Sequence, residues 1–174
     1  MTPTARYPPI GEYALIGDCR AAGLVASDGS LDWLCFPRFD SPSLFGALLD
    51  AERGGRFRIR PLGAFRSGRR YLPDTNILET TFRAPGGAVV LRDLMPVASE
   101  EEQRAELTPD HQVLREVAGL DGEVALEILY EPRPEYARAR PVLVERGALG
   151  LWCEVGGAAL ILRSELPLRP TSDG

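Results

Sequence analysis

Along most of this chain apolar and polar residues alternate one for one in short runs, and glycine, proline and aspartate separate the runs. A period of two places successive side chains on opposite faces of an extended strand, so the pattern predicts an antiparallel all-β domain. The plainest case is 56–60, where Phe57 and Ile59 share one face and Arg56, Arg58 and Arg60 share the other, wet one. Between 76 and 83, Leu78, Thr80 and Phe82 oppose Glu79, Thr81 and Arg83; Pro85-Gly86-Gly87 then turns the chain into an apolar run at 88–95, which predicts a hairpin. At 123–131, Val124, Leu126, Ile128 and Tyr130 alternate with Glu123, Ala125, Glu127, Leu129 and Glu131. This run follows Asp121-Gly122, a turn pair after a strand-like run at 111–120. Runs at 142–145, 149–155 and 158–163, joined by Arg146-Gly147 and Gly156-Gly157, predict a three-strand meander. Its last strand, Ala158-Ala159-Leu160-Ile161-Leu162, is apolar on both faces and is expected to be central and covered on both sides.

Helical signal is scarce. Residues 41–50, with a Ser or Asp cap, an early Pro42 and apolar Leu44, Phe45, Leu48 and Leu49, predict one short helix on the β body. Residues 99–103 carry Glu100-Glu101-Glu102 and predict an exposed loop or helical turn. No repeat of fixed period and no internal linker interrupts the pattern. Residues 1–166 therefore read as one domain, with 167–174 as a tail or the start of a linker.

At 174 residues the chain is long enough to bury a core, and no apolar run approaches the ~20 residues a membrane helix needs. The net charge of -5 repels polyanions on average. The densest basic cluster, Arg66, Arg69 and Arg70, lacks interleaved aromatics beyond Tyr71 and reads as a solvated strand edge, so neither nucleic acid nor a membrane is an expected partner. All 20 basic residues are arginine. Cys19, Cys35 and Cys153 show no C-x-x-C spacing and read as small buried hydrophobes in a reducing compartment; the first residues lack the apolar core of a secretory signal, which makes the cytoplasm the expected location.

His111 is the single histidine, without a G-x-S-x-G elbow or a cysteine pair to work with, so neither a catalytic triad nor a zinc site is expected, nor any cofactor. Asp28-Gly29-Ser30-Leu31-Asp32 opens like a calcium loop, but Trp33 and Phe39 stand where that loop needs Gly and Glu; a tight turn on Asp28-Gly29 is expected instead. Glycoside cleavage needs two carboxyl groups flanking the bond, and no pair here is singled out by spacing. What stands out is the stretch 31–42, which gathers Trp33, Phe36 and Phe39, the guanidinium of Arg38 and the carboxylate of Asp40 beside two prolines. Ring faces stack on sugar C–H groups, while Arg and Asp bind hydroxyls, so Trp33, Arg38, Phe39 and Asp40 are candidate sugar-binding residues. The same stretch also fits a plain structural role, with Trp33 and Phe36 in the core and Arg38 paired with Asp40.

Ile16-Gly17-Asp18-Cys19-Arg20 followed by Ala22-Gly23-Leu24-Val25-Ala26-Ser27-Asp28-Gly29-Ser30-Leu31-Asp32-Trp33-Leu34-Cys35-Phe36-Pro37-Arg38-Phe39-Asp40-Ser41-Pro42-Ser43-Leu44-Phe45 resembles the start of bacterial family 15 glycoside hydrolases, the glucoamylase-like and trehalase-like enzymes. Tyr71-Leu72-Pro73-Asp74-Thr75-Asn76-Ile77-Leu78-Glu79-Thr80, Asp93-Leu94-Met95-Pro96 and Pro132-Arg133-Pro134-Glu135-Tyr136-Ala137-Arg138 extend the resemblance in order along the chain. Some positions depart. Asp18 follows Gly17 where the family has a small or amide residue, and Pro134-Glu135-Tyr136-Ala137 replaces an aromatic, acidic, Tyr, Gly run. The resemblance implies an N-terminal antiparallel β-sandwich, accessory to a helical barrel that supplies the catalytic glutamates for inverting hydrolysis of α-glucosidic bonds. No position here matches those glutamate motifs, so no catalytic residue is assigned, and the chain alone is expected to be inactive. The implied partners are that barrel and an α-glucoside or trehalose at the interface between the two. Two other classes stay open: a stand-alone carbohydrate-binding module using Trp33 or Trp152, and a structural β domain that forms a homodimer through an unpaired sheet edge.

Overall fold

The alternating runs are strands in the computed structural model, which describes residues 7–106, 111–166 and 168. The tail assigned to 167–174 lies outside the described residues except for Leu168. The first sheet is built from β1 (Tyr13–Gly17), β2 (Ala22–Ala26), β3 (Ser30–Cys35), β4 (Ser43–Phe45), β5 (Arg56–Pro61) and, from much later in the chain, β10 (Leu126–Glu131). Its order is β1-β2-β3-β5-β10, with β4 also paired to β3. The second sheet is a meander of β6 (Arg66–Tyr71), β7 (Leu78–Ala84), β8 (Gly87–Leu94) and β9 (Leu114–Gly122). The third, β11 (Val144–Glu145), β12 (Leu151–Val155) and β13 (Ala158–Leu162), is the expected C-terminal meander. Every pairing is antiparallel.

The first two sheets face each other across the core. Ile16, Val25, Leu31, Leu34 and Phe45 of the first sheet meet Leu78 of the second and Met95 just beyond it, and Ile59 meets Phe82, Val89 and Leu91 in a second cluster. Burying side chains such as Phe45, Phe82 and Leu31 contributes roughly 1.5–3 kcal/mol each. The fold is thus the expected all-β sandwich, with Phe57 and Ile59 turned inward and Leu78, Thr80 and Phe82 buried as the alternation required. The turn on Asp28-Gly29 is present as well: Gly29 has φ 80, and the Asp28 carboxylate accepts from the Ser30 amide at 3.1 Å.

On the second sheet's other face, Arg70, Glu79, Arg92 and Glu116 stand opposite one another on β6, β7, β8 and β9. Their signs alternate, and each neighbouring pair is bonded: Arg70 and Arg92 both donate to Glu79, at 2.7–3.1 Å, and Arg92 donates to Glu116 at 3.1 Å. Alternating charge along a row is what cross-strand pairing favours. On β5 the arginines are less wet than the sequence suggests. Arg58 and Arg60 both bond Glu127 of β10, and Arg56 reaches the Ala51 carbonyl.

Several expectations are corrected. Residues 41–50 hold no helix: β4 pairs Phe45 with Leu34 and Ser43 with Cys35, and the chain then turns so that the Gly46 amide donates to Gly54 O at 2.7 Å. A Cβ on Gly54 would meet the Gly46 backbone at 2.2 Å, so the two glycines permit an approach that a helix would forfeit. Where a loop or a helical turn was expected there is a helix, α1 (Glu100–Glu106), started by a reciprocal Ser99–Glu102 capping box. Asp121-Gly122 does not join a hairpin; both residues still pair with Ala88 and Gly87 of β8, and the chain then crosses from the second sheet to the first. Gly122, at φ 63, sits so close to Gly86 O that a side chain has no room. Cys35 and Cys153 are buried as expected, whereas Cys19 is exposed. Finally, β13 is an edge strand with Ala158, Ala159 and Ile161 exposed, because among the described residues nothing pairs beyond it.

Candidate functional site

After β3 the chain runs through the loop 36–42 and returns as β4, so the loop is fixed at both ends by sheet. The Phe36–Pro37 bond is cis. A neighbouring turn grips the loop from the side, with the Phe39 amide donating to Arg20 O at 2.8 Å. That turn is shaped by Asp18, whose Oδ1 accepts from the amides of Arg20 and Ala21 at 2.9 and 2.7 Å, while Cys19 between them is left-handed at φ 67. Asp18 is therefore a turn-maker, which accounts for a carboxylate after Gly17.

Arg38, Phe39 and Asp40 project into solvent from this loop. The Arg38 Nε donates to Asp40 Oδ1 at 2.9 Å, and the Phe39 ring is 60% exposed. The hydrogen bond from Arg38, and then its charge, hold the Asp40 carboxyl below the usual range; Asp40 in turn raises Arg38. Together with Cys19, Arg20, Pro37 and His111 these three side chains line a cleft of about 480 Å³. His111 enters it from just before β9, left-handed at φ 60, with its ring edge-on to Phe36 at 6.0 Å.

The cleft offers an open aromatic face, guanidinium donors and an ionised carboxylate, a set that binds hydroxyls and C–H faces. A glycosidase general acid has its pKa raised and faces a second carboxylate, whereas Asp40, the carboxylate among the described lining residues, is paired with Arg38 and held below the usual range.

The fourth predicted residue lies elsewhere. Trp33 does not line the cleft; it stands in a cross-strand row with Leu24 and Leu15 on the outer face of the first sheet. Its ring lies 6.4 Å from that of Tyr136. Tyr136 is 52% exposed and is carried by a turn in which Glu135, Tyr136 and Ala137 are all left-handed, at φ 55, 58 and 64. Left-handed backbone is costly for side-chain-bearing residues, and the turn is held by the Arg133 amide on Leu44 O and the Ala137 amide on Arg133 O. Beside Trp33, the buried Asp32 accepts from Tyr13 Oη at 3.0 Å and Ser30 Oγ at 2.5 Å. Burial and then the Asp32 charge raise the Tyr13 phenol well above its ordinary value.

The structure thus gathers Arg38, Phe39 and Asp40 and separates Trp33 from them. It adds Cys19, Arg20, His111 and Tyr136, which sequence reasoning passed over although the 16–20 and 132–138 motifs contained all but His111. Among the described residues no group of three or more Cys, His, Asp or Glu is placed to hold a metal ion, and no helix is long and apolar enough to cross a membrane.

Known proteins resemble this chain over nearly its whole length. It is 41% identical over 149 residues to a trehalase of Mycolicibacterium smegmatis, an alignment covering 78% of this chain and 22% of that protein. A trehalase of Thermoplasma volcanium is 32% identical over 171 residues, or 96% of this chain and 26% of the relative, and Trehalase 1 of Sulfolobus acidocaldarius is 36% identical over 136 residues, 78% and 21%. The chain spans roughly a quarter or less of the length of these relatives. No solved structure matches it. The family described as "Trehalase-like, N-terminal" matches residues 4–165, nearly the entire sandwich, and the chain belongs to that family.

Proposed function

We propose that this chain is a non-catalytic N-terminal sandwich that buttresses the catalytic barrel of a trehalose- or α-glucoside-hydrolysing enzyme, with the 36–42 loop bordering the sugar pocket. The observation that carries the reading is the pairing of coverage with chemistry. Trehalases match most of this chain but extend far past it, and among the described residues the cleft holds one carboxylate, bound by an arginine. In this reading Arg38 and Asp40 hold each other in a planar pair that bonds sugar hydroxyls, and Phe39 stacks on a ring face. Residues 1–166 form the unit, the following residues lead to the barrel, and the enzyme works in the cytoplasm, where Cys35 and Cys153 stay reduced.

Pure chain incubated with trehalose or maltose is expected to release no glucose; measurable release would overturn the non-catalytic assignment. In an enzyme that carries this domain ahead of its barrel, Arg38→Ala should lower kcat/KM while leaving the unfolding midpoint in place. A loss of activity and stability in proportion would make Arg38 structural.

A second reading is supported by Trp33 and Tyr136, a tilted aromatic pair on an exposed sheet face, which suits a stand-alone carbohydrate-binding module. Titration of tryptophan fluorescence with maltooligosaccharides separates the two: a saturable change lost in Tyr136→Ala favours the module, and a flat response favours the accessory domain.

A further inference from the structure

Given the accessory role proposed above, on which this step rests, we infer that the catalytic domain of a longer enzyme seats on the outer face of the first sheet, along the row Leu15, Leu24, Trp33 and Tyr136. Leu15 of β1 pairs with Leu24 of β2, and Leu24 with Trp33 of β3. The register then slips: Trp33 faces Leu24 but Leu31 faces Val25, so Asp32 is an extra residue. Strict alternation would set Trp33 on the same face as Leu31, which is fully buried in the core. A bulge re-aims neighbouring side chains, and this one turns Trp33 outward. Asp32 anchors it, with its carboxylate oxygens accepting from Tyr13 Oη and Ser30 Oγ and with Arg56 3.8 Å away.

From the other side Tyr136 is brought beside Trp33 by three successive left-handed residues, a costly conformation for any residue with a side chain. Two independent irregularities therefore converge on one result, an apolar row with Leu15 54% and Tyr136 52% exposed. The charged part of the same face is already satisfied: Arg58 and Arg60 bond Glu127, and Arg60 lies 3.7 Å from Asp28. Among the described residues the apolar row is what this face leaves uncovered.

Size, position and chemistry select the occupant. Relatives that match 78–96% of this chain give it only 21–26% of their own length, so most of each relative lies outside this domain. β1 ends at Gly17, β2 begins at Ala22 and β3 ends at Cys35, each two residues from its member of the row. At ~3.3 Å per residue the row lies about 7 Å from the loops 18–21 and 36–42 that line the cleft. A body large enough to share the cleft with the 36–42 loop reaches the row as well and keeps a second copy of the sandwich off it. A sugar is a poorer fit. The carboxylate beside Trp33 is buried and already bonded to Tyr13 and Ser30, and Leu15 and Leu24 offer nothing to hydroxyls, whereas aromatic and aliphatic side chains rimmed by paired charges are what the core of a protein interface contains.

Hydroxyl-radical footprinting, read residue by residue by mass spectrometry, tests this on the 174-residue chain and on an enzyme that carries this domain ahead of its barrel. In the enzyme Leu15, Trp33 and Tyr136 should be oxidised about threefold or more slowly, as side chains in a water-free contact are, while Leu120 at the end of β9 away from the cleft keeps its rate. Leu15→Lys and Tyr136→Asp, at exposed positions, should each leave the unfolding midpoint of the 174-residue chain in place and lower that of the same domain in the enzyme; should one variant fail to fold, the other decides. Equal oxidation of the row in both proteins, with protection on another face of the sandwich, would overturn the inference and leave the accessory role standing. Protection nowhere on the sandwich would overturn that role as well. A midpoint in the enzyme that both charges leave untouched, a row that a second copy protects in the 174-residue chain and dilution exposes, or a saturable response of Trp33 to maltooligosaccharides in that chain would overturn the inference too.

Discussion

Two Arg–Asp pairs of almost equal length serve this molecule in opposite ways. Arg38 and Asp40 bond at 2.9 Å on a loop with their side chains 70% and 73% exposed, whereas Arg115 and Asp93 bond at 2.7 Å with 2% and 0%. The buried pair stands on facing positions of β9 and β8, and its guanidinium crosses to the other sheet. There it donates to Phe57 O and, at 2.6 Å, to Gly29 O, while lying 4.7 Å from the Phe57 ring centroid. In that setting the ion pair is a cross-link between sheets, with its donors on both. Water around Arg38 and Asp40 screens their attraction and leaves their remaining donors and acceptors free to meet a ligand. Geometry alone is a poor guide to what an ion pair does; burial decides it.

Substitutions at four positions sharpen that contrast, and the largest effect belongs to the interior. Arg115→Ala leaves the buried Asp93 carboxylate without its partner, removes a donor from the Phe57 and Gly29 carbonyls, and is expected to cost about 3–5 kcal/mol, a large part of the stability of a domain this size, measured by urea unfolding. Should Arg115→Ala lose no more than Arg38→Ala, the cross-link is not what holds the sheets.

Glu79 is intermediate, a nearly buried carboxylate on a face shared with three charged neighbours. Removing its three hydrogen bonds from Arg70 and Arg92 with Glu79→Ala should cost about 1–2 kcal/mol. The hydrogen bond from Arg70 leads the causes that hold its pKa below the ordinary carboxylate value, with Arg92 adding to it. A depressed folded-state pKa stabilises above the unfolded pKa, and that stabilisation is lost as pH falls through the folded value. The stability gap between wild type and Glu79→Gln should therefore be widest at neutral pH and close on acidification, as followed by thermal unfolding.

Ala137→Gly has the opposite sign. Ala137 is left-handed where the resembling family carries glycine, so relief of backbone strain should outweigh the added freedom of the unfolded chain, for a net gain of under ~1 kcal/mol. The smallest effect falls on the exposed pair: Arg38→Ala should leave the unfolding midpoint unchanged. A clear loss there would move the loop pair into the structural class.

Much of the fold was legible because a β face is written in alternate residues. Phe57 and Ile59, or Leu78, Thr80 and Phe82, needed no partner to declare which side is buried. The errors lie where local pattern and long-range pairing compete. Leu44, Phe45, Leu48 and Leu49 fit a helical stripe, yet Phe45 gains more by pairing with Leu34 and packing edge-on against Tyr130. Asp121-Gly122 has turn chemistry, but β9 and β10 find better partners in different sheets.

The candidate site divides the same way. Arg38, Phe39 and Asp40 are close in sequence and stay close in space, so composition sufficed to group them. His111, more than seventy residues on, joins them only because β9 begins beside the loop, and no local signal reports that.

By itself the sequence determined that the domain is all-β, which faces of the alternating runs such as 56–60, 78–83 and 126–131 are apolar, and which family the motifs resemble, since each depends on neighbours a few positions away. Tertiary structure alone decided that Arg115 reaches across the core while Arg38 stays in water, that Trp33 parts from the loop after it, and that β13 ends a sheet instead of centring one. Those outcomes depend on which distant strand arrives alongside, and in an antiparallel sandwich that partner is chosen by the packing of the whole core.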